Sequence, residues 1–114
     1  MSDYTQNNID VIAATLEVFL GNSENGKLNK DEVEKLLMII HNNFQCDSIQ
    51  ASQLALKAGI EKCNKSFEDA GENHRMVLYM TTDRSDLSIA YFTLNDEGKL
   101  IREEDGKVIE ITAL

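Results

Sequence analysis

The feature that most constrains this chain is a change of hydrophobic period near His74. Before it, apolar residues recur every three to four positions. After it they follow a period of two. In the first part Ile9, Ile12, Ala13, Leu16, Phe19 and Leu20 fall on one helical stripe, with Asn7 and Asn8 as candidate N-caps. A second stripe, Val33, Leu36, Leu37, Ile40 and Phe44, follows Asn29 and Glu32, whose spacing fits a capping box. Asp31, Glu32 and Glu34 in that first turn complement the helix dipole. A third, Ile49, Leu56, Ile60, Cys63 and Phe67, follows Asp47 and Gln50 and ends at Ala70 and Gly71. Its small residues Ala51, Ala55, Ala58 and Gly59 let a neighbouring helix approach closely.

Beyond His74, RMVLYMTT (75 to 82) and LSIAYFTL (87 to 94) are rich in β-branched and aromatic residues, with Tyr79, Tyr91 and Phe92 as strand core. Turns are expected at DRSD, at NDEG (95 to 98) and at Asp105-Gly106, a type I′ signal. Lys99 to Glu104 and KVIEIT (107 to 112) supply two further strands. The fold class expected is α+β: three N-terminal helices (about 8–71) followed by a four-stranded antiparallel β-meander (about 75–112), in one domain spanning 1–114. A chain of 114 residues is long enough for its own core.

Charge narrows the function. The formal net charge is −9, which repels nucleic-acid phosphates and anionic lipid heads and favours a protein partner with a basic surface. Direct nucleic-acid binding is disfavoured. The longest apolar run, Leu36 to Ile40, is far short of the about 20 residues a membrane span needs. The opening MSDYTQNN has no basic or apolar signal region, and two cysteines in such a chain read as reduced thiols, so a cytoplasmic setting is expected.

No arrangement of residues points to catalysis, and no cofactor or metal is expected. GNSENGKLNKDE (21 to 32) aligns in part with an EF-hand loop: Gly26 at the turn, Leu28 at the apolar position and Glu32 at the bidentate one. Gly21 at the first position has no side-chain oxygen, and Glu32 would be the one anionic ligand. A capped turn between two helices accounts for every residue. His41, Cys46, Cys63 and His74 lack the short ligand spacings of a zinc site. Cys63 sits in the register of core. Glu103 and Glu104, just before a turn, read as a solvated charge pair.

Residues 9 to 44 carry a pattern of their own. IDVIAATLEVFLGN and LNKDEVEKLLMIIHNNF form an apolar helix ending in Asn22 and an acidic helix start at Asp31. The second segment closes on Ile40-His41 with Phe44 three residues on. This resembles the N-terminal helix pair of the Ros/MucR transcriptional regulators, over about a third of the chain. The resemblance implies self-assembly. It does not bring DNA binding, because the zinc finger of that family has no counterpart here.

Val11, Ala14, Val18, Met38 and Ile39 add apolar groups beyond one stripe per helix, which a single core does not need, and Phe19 of the first stripe is grouped with them. They are the expected interface of a homodimer or higher oligomer, unless the β-meander covers them within one chain. Asp83, Asp86, Asp96, Glu97, Glu103 and Asp105, in the turns, are the expected contacts for a basic partner. The function expected is a non-enzymatic binding protein that inhibits or antagonises that partner. The alternatives are an accessory transcriptional regulator built on an oligomerisation module, a DNA mimic or a degenerate ion-binding module.

Overall fold

A computed structural model describes residues 6–43, 48–81, 86–104, 106–109 and 111–113. The α+β class is as expected. Helices α1 (Gln6–Gly21), α2 (Lys30–Asn43) and α3 (Ile49–Asp69) cover one face of an antiparallel sheet.

The helix ends follow from local chemistry. Asn29 and Glu32 form the reciprocal box: the Glu32 N–H donates to Asn29 Oδ1 at 3.2 Å and the Asn29 N–H to Glu32 Oε1 at 3.3 Å. Helix α3 is capped by Ser48, one residue later than Asp47, with the Ala51 N–H donating to Ser48 Oγ at 3.1 Å. It ends in a Schellman turn. Glu72 N–H donates to Phe67 O and Gly71 N–H to Glu68 O, with Gly71 at φ +74°. Helix α3 packs closely on α1 through Gly59: a Cβ there would stand 2.6 Å from Ile12 Cγ2. Next to this contact the buried Cys63 thiol donates to Ala13 O at 3.4 Å.

Strands β2 (His74–Thr81) and β3 (Leu87–Leu94) form the central hairpin, with Met76 opposite Tyr91 and Leu78 opposite Ile89. Alternation sorts their side chains. Met76, Leu78 and Ile89 join the helix-side core, whereas Val77, Tyr79, Ala90 and Phe92 form a separate buried cluster on the other face.

The rest of the sheet departs from a meander. A short strand β1 (Lys27–Leu28), in the loop between α1 and α2, pairs with Ala90 and Ile89. Further along the same edge, β4 (Leu100–Ile101) pairs with Leu94 and Thr93. The chain then leaves the sheet. Strands β5 (Glu103–Glu104) and β6 (Lys107–Val108) pair with each other only, and β7 (Ile111–Ala113) returns to the opposite edge, against Thr81 to Tyr79 of β2.

The reason lies at Arg102, which fills the gap between β1 and β4. Its Nη1 donates to Tyr91 O on the open edge of β3 at 2.9 Å, a role a neighbouring strand would otherwise take. On the other side of the hairpin, Asn64 of α3 does the same for β2. Its Nδ2 donates to Met76 O at 2.9 Å and its Oδ1 accepts the Met76 N–H at 2.7 Å. The edge of β2 beyond β7 is thus closed by a side-chain amide, one way a sheet avoids an unpaired edge.

Candidate functional site

A concavity of about 660 Å3 lies where the α1–α2 loop meets the segment after β4. The loop supplies Glu24, Asn25 and Lys27, the start of α2 supplies Glu32, and the far segment supplies Arg102, Glu103 and Glu104. The stretch that resembles an ion-binding loop therefore forms one wall. Asn25 and Gly26 are both left-handed (φ +60° and +63°), as a tight turn of this kind requires. Gly26 also packs under the Tyr91 ring, where an added Cβ would lie 3.0 Å from Tyr91 Cδ2. Glu32 is engaged in its capping box. Among the described residues, no group of three or more His, Cys, Asp or Glu is placed to hold a metal ion.

The floor of the cleft is a charge network. Arg102, 9% exposed at its side chain, donates to Tyr91 O, to Asn25 O at 2.7 Å and, through Nε, to Glu104 Oε1 at 3.0 Å. Lys27 Nζ stands 3.2 Å from both Glu104 oxygens. Burial pushes the Glu104 carboxyl up, but hydrogen bonds from Arg102 and Lys27, and their charges, outweigh it. The carboxyl is held below the ordinary range. Both cations of the cleft are thus committed to one carboxylate. Glu24 and Glu103 are exposed and form no ion pair among the described residues, which leaves the mouth of the cleft anionic.

Behind Glu104, the Tyr79 hydroxyl is buried without a hydrogen-bond partner. Ser88 and Glu104 are its polar neighbours. Burial, and then the Glu104 charge, push the Tyr79 phenol up to about 12. Burial likewise pushes the Cys63 thiol up to about 11, which removes it as a nucleophile at neutral pH.

The residues expected to meet a basic partner are dispersed. Glu103 lines the cleft. Asp96 and Glu97 are exposed in the separate turn after β3, where the Glu97 carboxylate lies 3.8 Å from Lys99 Nζ. Asp86 is half-buried at the start of β3. Asp83 and Asp105 lie outside the described residues, as do Phe44, Cys46 and Asp47. Glu103 and Glu104 are not one solvated pair: alternation leaves Glu103 exposed and turns Glu104 inward to the cations. Glu24, Lys27 and Arg102 went unnoticed in the sequence. Their meeting spans 77 residues, and no local pattern signals it.

The expected oligomer residues divide. Val18 (58% exposed), Met38, Val11 and Ile39 are large apolar groups facing solvent, and Ala14 is exposed beside them. Phe19 is half-buried and packs against the core. Leu54 of α3, equally exposed, was not anticipated. It lies as far past the start of α3 as Met38 lies before the end of α2. No described helix is long and apolar enough to cross a membrane. Comparison with protein-family models, with curated proteins and with solved structures returned no match to this chain.

Proposed function

We propose that this protein is a non-enzymatic binding protein whose anionic cleft engages a basic surface of another protein, and so inhibits or antagonises that partner. What carries the reading is the division of charge in the cleft. Glu24, Glu32, Glu103 and Glu104 face only Lys27 and Arg102, a formal net charge of 2 − 4 = −2 for the lining, and Glu24 and Glu103, outside any ion pair among the described residues, remain to meet incoming cations. Carboxylates at a concave mouth attract and orient a lysine or arginine over several ångströms, and the attraction weakens with salt. Self-association through α1 and α2 belongs to the same proposal, supported by the solvent-facing Val11, Ala14, Val18, Met38 and Ile39. Single exposed apolar residues are ordinary; here Val11, Ala14 and Val18 recur at helical spacing along α1, and Met38 and Ile39 adjoin on α2.

Affinity capture from native lysate with the intact chain and with a Glu24→Gln/Glu103→Gln variant tests the cleft. The expected result is a basic protein retained by the first, lost from the second and released by 0.5 M salt. A partner held equally by both chains would move the contact elsewhere, and salt-independent retention would remove the electrostatic mechanism. For self-association, light scattering of Val18→Lys/Met38→Lys is expected to show a smaller particle than the parent at the same concentration. A parent chain that stays monomeric at high concentration would end that part.

A further inference from the structure

One exposed face of α1 differs from the exposed faces of the other two helices. Val11, Ala14 and Val18 follow one another on it at helical spacing. Thr15 beside them turns its hydroxyl back onto the helix, donating to Val11 O at 2.8 Å. Val11 and Val18 lie one heptad apart with Ala14 between them, the a-d-a order of a coiled-coil seam, and the exposed Gly21 takes the next d position. No charged residue interrupts this line. On α2, Met38 and Ile39 share their surface with the exposed Glu34 and Lys35, and on α3 Leu54 is followed at helical spacing by Lys57 and Glu61. The flanks of the α1 seam are unequal. Asp10 and Glu17 stand on one side, at the g positions, and Thr15 and Asn22 on the other, at the e positions. Asp10 also meets Lys62 of α3, at 3.1 Å.

We propose that this face packs on the same face of a second copy of the chain as a short parallel helix seam, with Val11 and Val18 each set against its own counterpart. The inference rests on the self-association reading above and narrows it to α1 in one orientation. Three observations carry it. Two copies of a chain with net charge −9 repel each other, so they meet closely only across an uncharged surface, and the seam is one. The seam is one helix wide, and the small groups at its d positions, Ala14 and Gly21, let a second backbone approach. The flanks then choose the direction. In a parallel pair each g residue faces an e residue of the other helix, five positions further on. Asp10 therefore meets Thr15, and Glu17 meets Asn22, an acid against a neutral side chain at each point. In an antiparallel pair g faces g, and the acidic flanks of the two copies oppose each other. A seam of two heptads buries little area, so the dimer is weak and forms with rising concentration.

Disulfide trapping on the full chain tests it, with Cys46→Ser in every variant and the buried Cys63 kept. Parallel pairing brings like residues of the two copies within bridging distance. Val11→Cys and Val18→Cys are each expected to cross-link to themselves at least about tenfold faster than Leu54→Cys, whose site is as exposed as Val18 but lies off the seam. Trapping at 11 or 18 no faster than at 54 would overturn the seam. Asn22→Lys, which sets a cation against Glu17 of the second copy, is expected to tighten the dimer about threefold in sedimentation equilibrium. A dimer left unchanged or weakened by it would overturn the parallel direction. The parent chain, run alongside, separates the two claims. If it stays monomeric at high concentration, self-association fails and the seam with it. If it dimerises while 11 and 18 trap slowly, self-association stands and the α1 seam alone is lost.

Discussion

The two faces of the central sheet are built from the same strands and held by different forces. On the helix side, Met76, Leu78 and Ile89 enter one continuous apolar core with Leu16, Leu36 and Leu56. On the other side four residues and Ile109 form a separate cluster, beside a segment whose half-buried carboxylate, Glu104, meets two cations. Apolar burial scales with area and is not directional. An ion network is directional and depends on every member being present. The helix side therefore holds most of the apolar burial, whereas the outer side adds an ion network to a smaller apolar cluster. The concave anionic site is built on that network.

The largest expected effect tests this contrast directly. Leu56, fully buried against the sheet, should cost about 2–5 kcal/mol when changed to Ala, from lost transfer energy and the cavity left behind. Ile109→Ala, a half-buried residue packed on the outer cluster, should cost about 1 kcal/mol, in proportion to the smaller area removed from water. Urea unfolding of both variants gives the comparison. Equal losses would mean that the two faces are welded into one core and that the distinction fails.

A middle-sized effect sharpens it. Asn64 is a polar group of the helix side, and its amide satisfies the Met76 N–H and C=O together. Asn64→Ala should cost about 1–3 kcal/mol, because both backbone groups lose their partner next to a buried side chain. The urea midpoint should fall with the slope unchanged. A loss below about 0.5 kcal/mol would show that water replaces the amide and that this edge is already open.

Which parts were legible from the sequence follows the same division. The box at Asn29 and Glu32, the stop at Gly71, the close approach at Gly59 and the central hairpin are all written in local patterns, and the structure contains each of them. The two-residue strand at Lys27–Leu28 is not written locally. Its partners are Ala90 and Ile89, and nothing in KL favours a strand. The break-up of the last third is also non-local. Lys99 to Glu104, between the turn signals at 95 to 98 and at Asp105-Gly106, reads as one polar, exposed strand up to and past Arg102. There the side chain bonds Asn25 and Tyr91 and takes the backbone out of the sheet. The cleft depends on that one long-range contact, so it was the least legible part of the molecule. Among the described residues expected to meet a partner, Glu103 alone lines it.

The smallest effect has an unusual sign. Most substitutions of a fully buried aromatic residue destabilise, but Tyr79→Phe removes only a hydroxyl that is buried without a partner. At neutral pH the variant should be as stable as the parent, or more stable by up to about 1 kcal/mol. The alkaline side carries the sharper signature. The folded state holds the Tyr79 phenol at about 12, against 10 for the free group. A raised value means that the folded chain keeps a proton which the unfolded chain gives up, so stability is intact below pH 10 and is lost as pH rises through about 12. Cys63 and Tyr91 are raised as well and add to that loss in both chains. The difference between parent and variant isolates Tyr79: the two stability curves should run parallel to about pH 9 and then separate, with the Phe variant falling less. Parallel curves throughout, with the variant less stable at neutral pH, would mean that the hydroxyl is hydrogen-bonded in solution. The outer face would then be as well satisfied as the inner one.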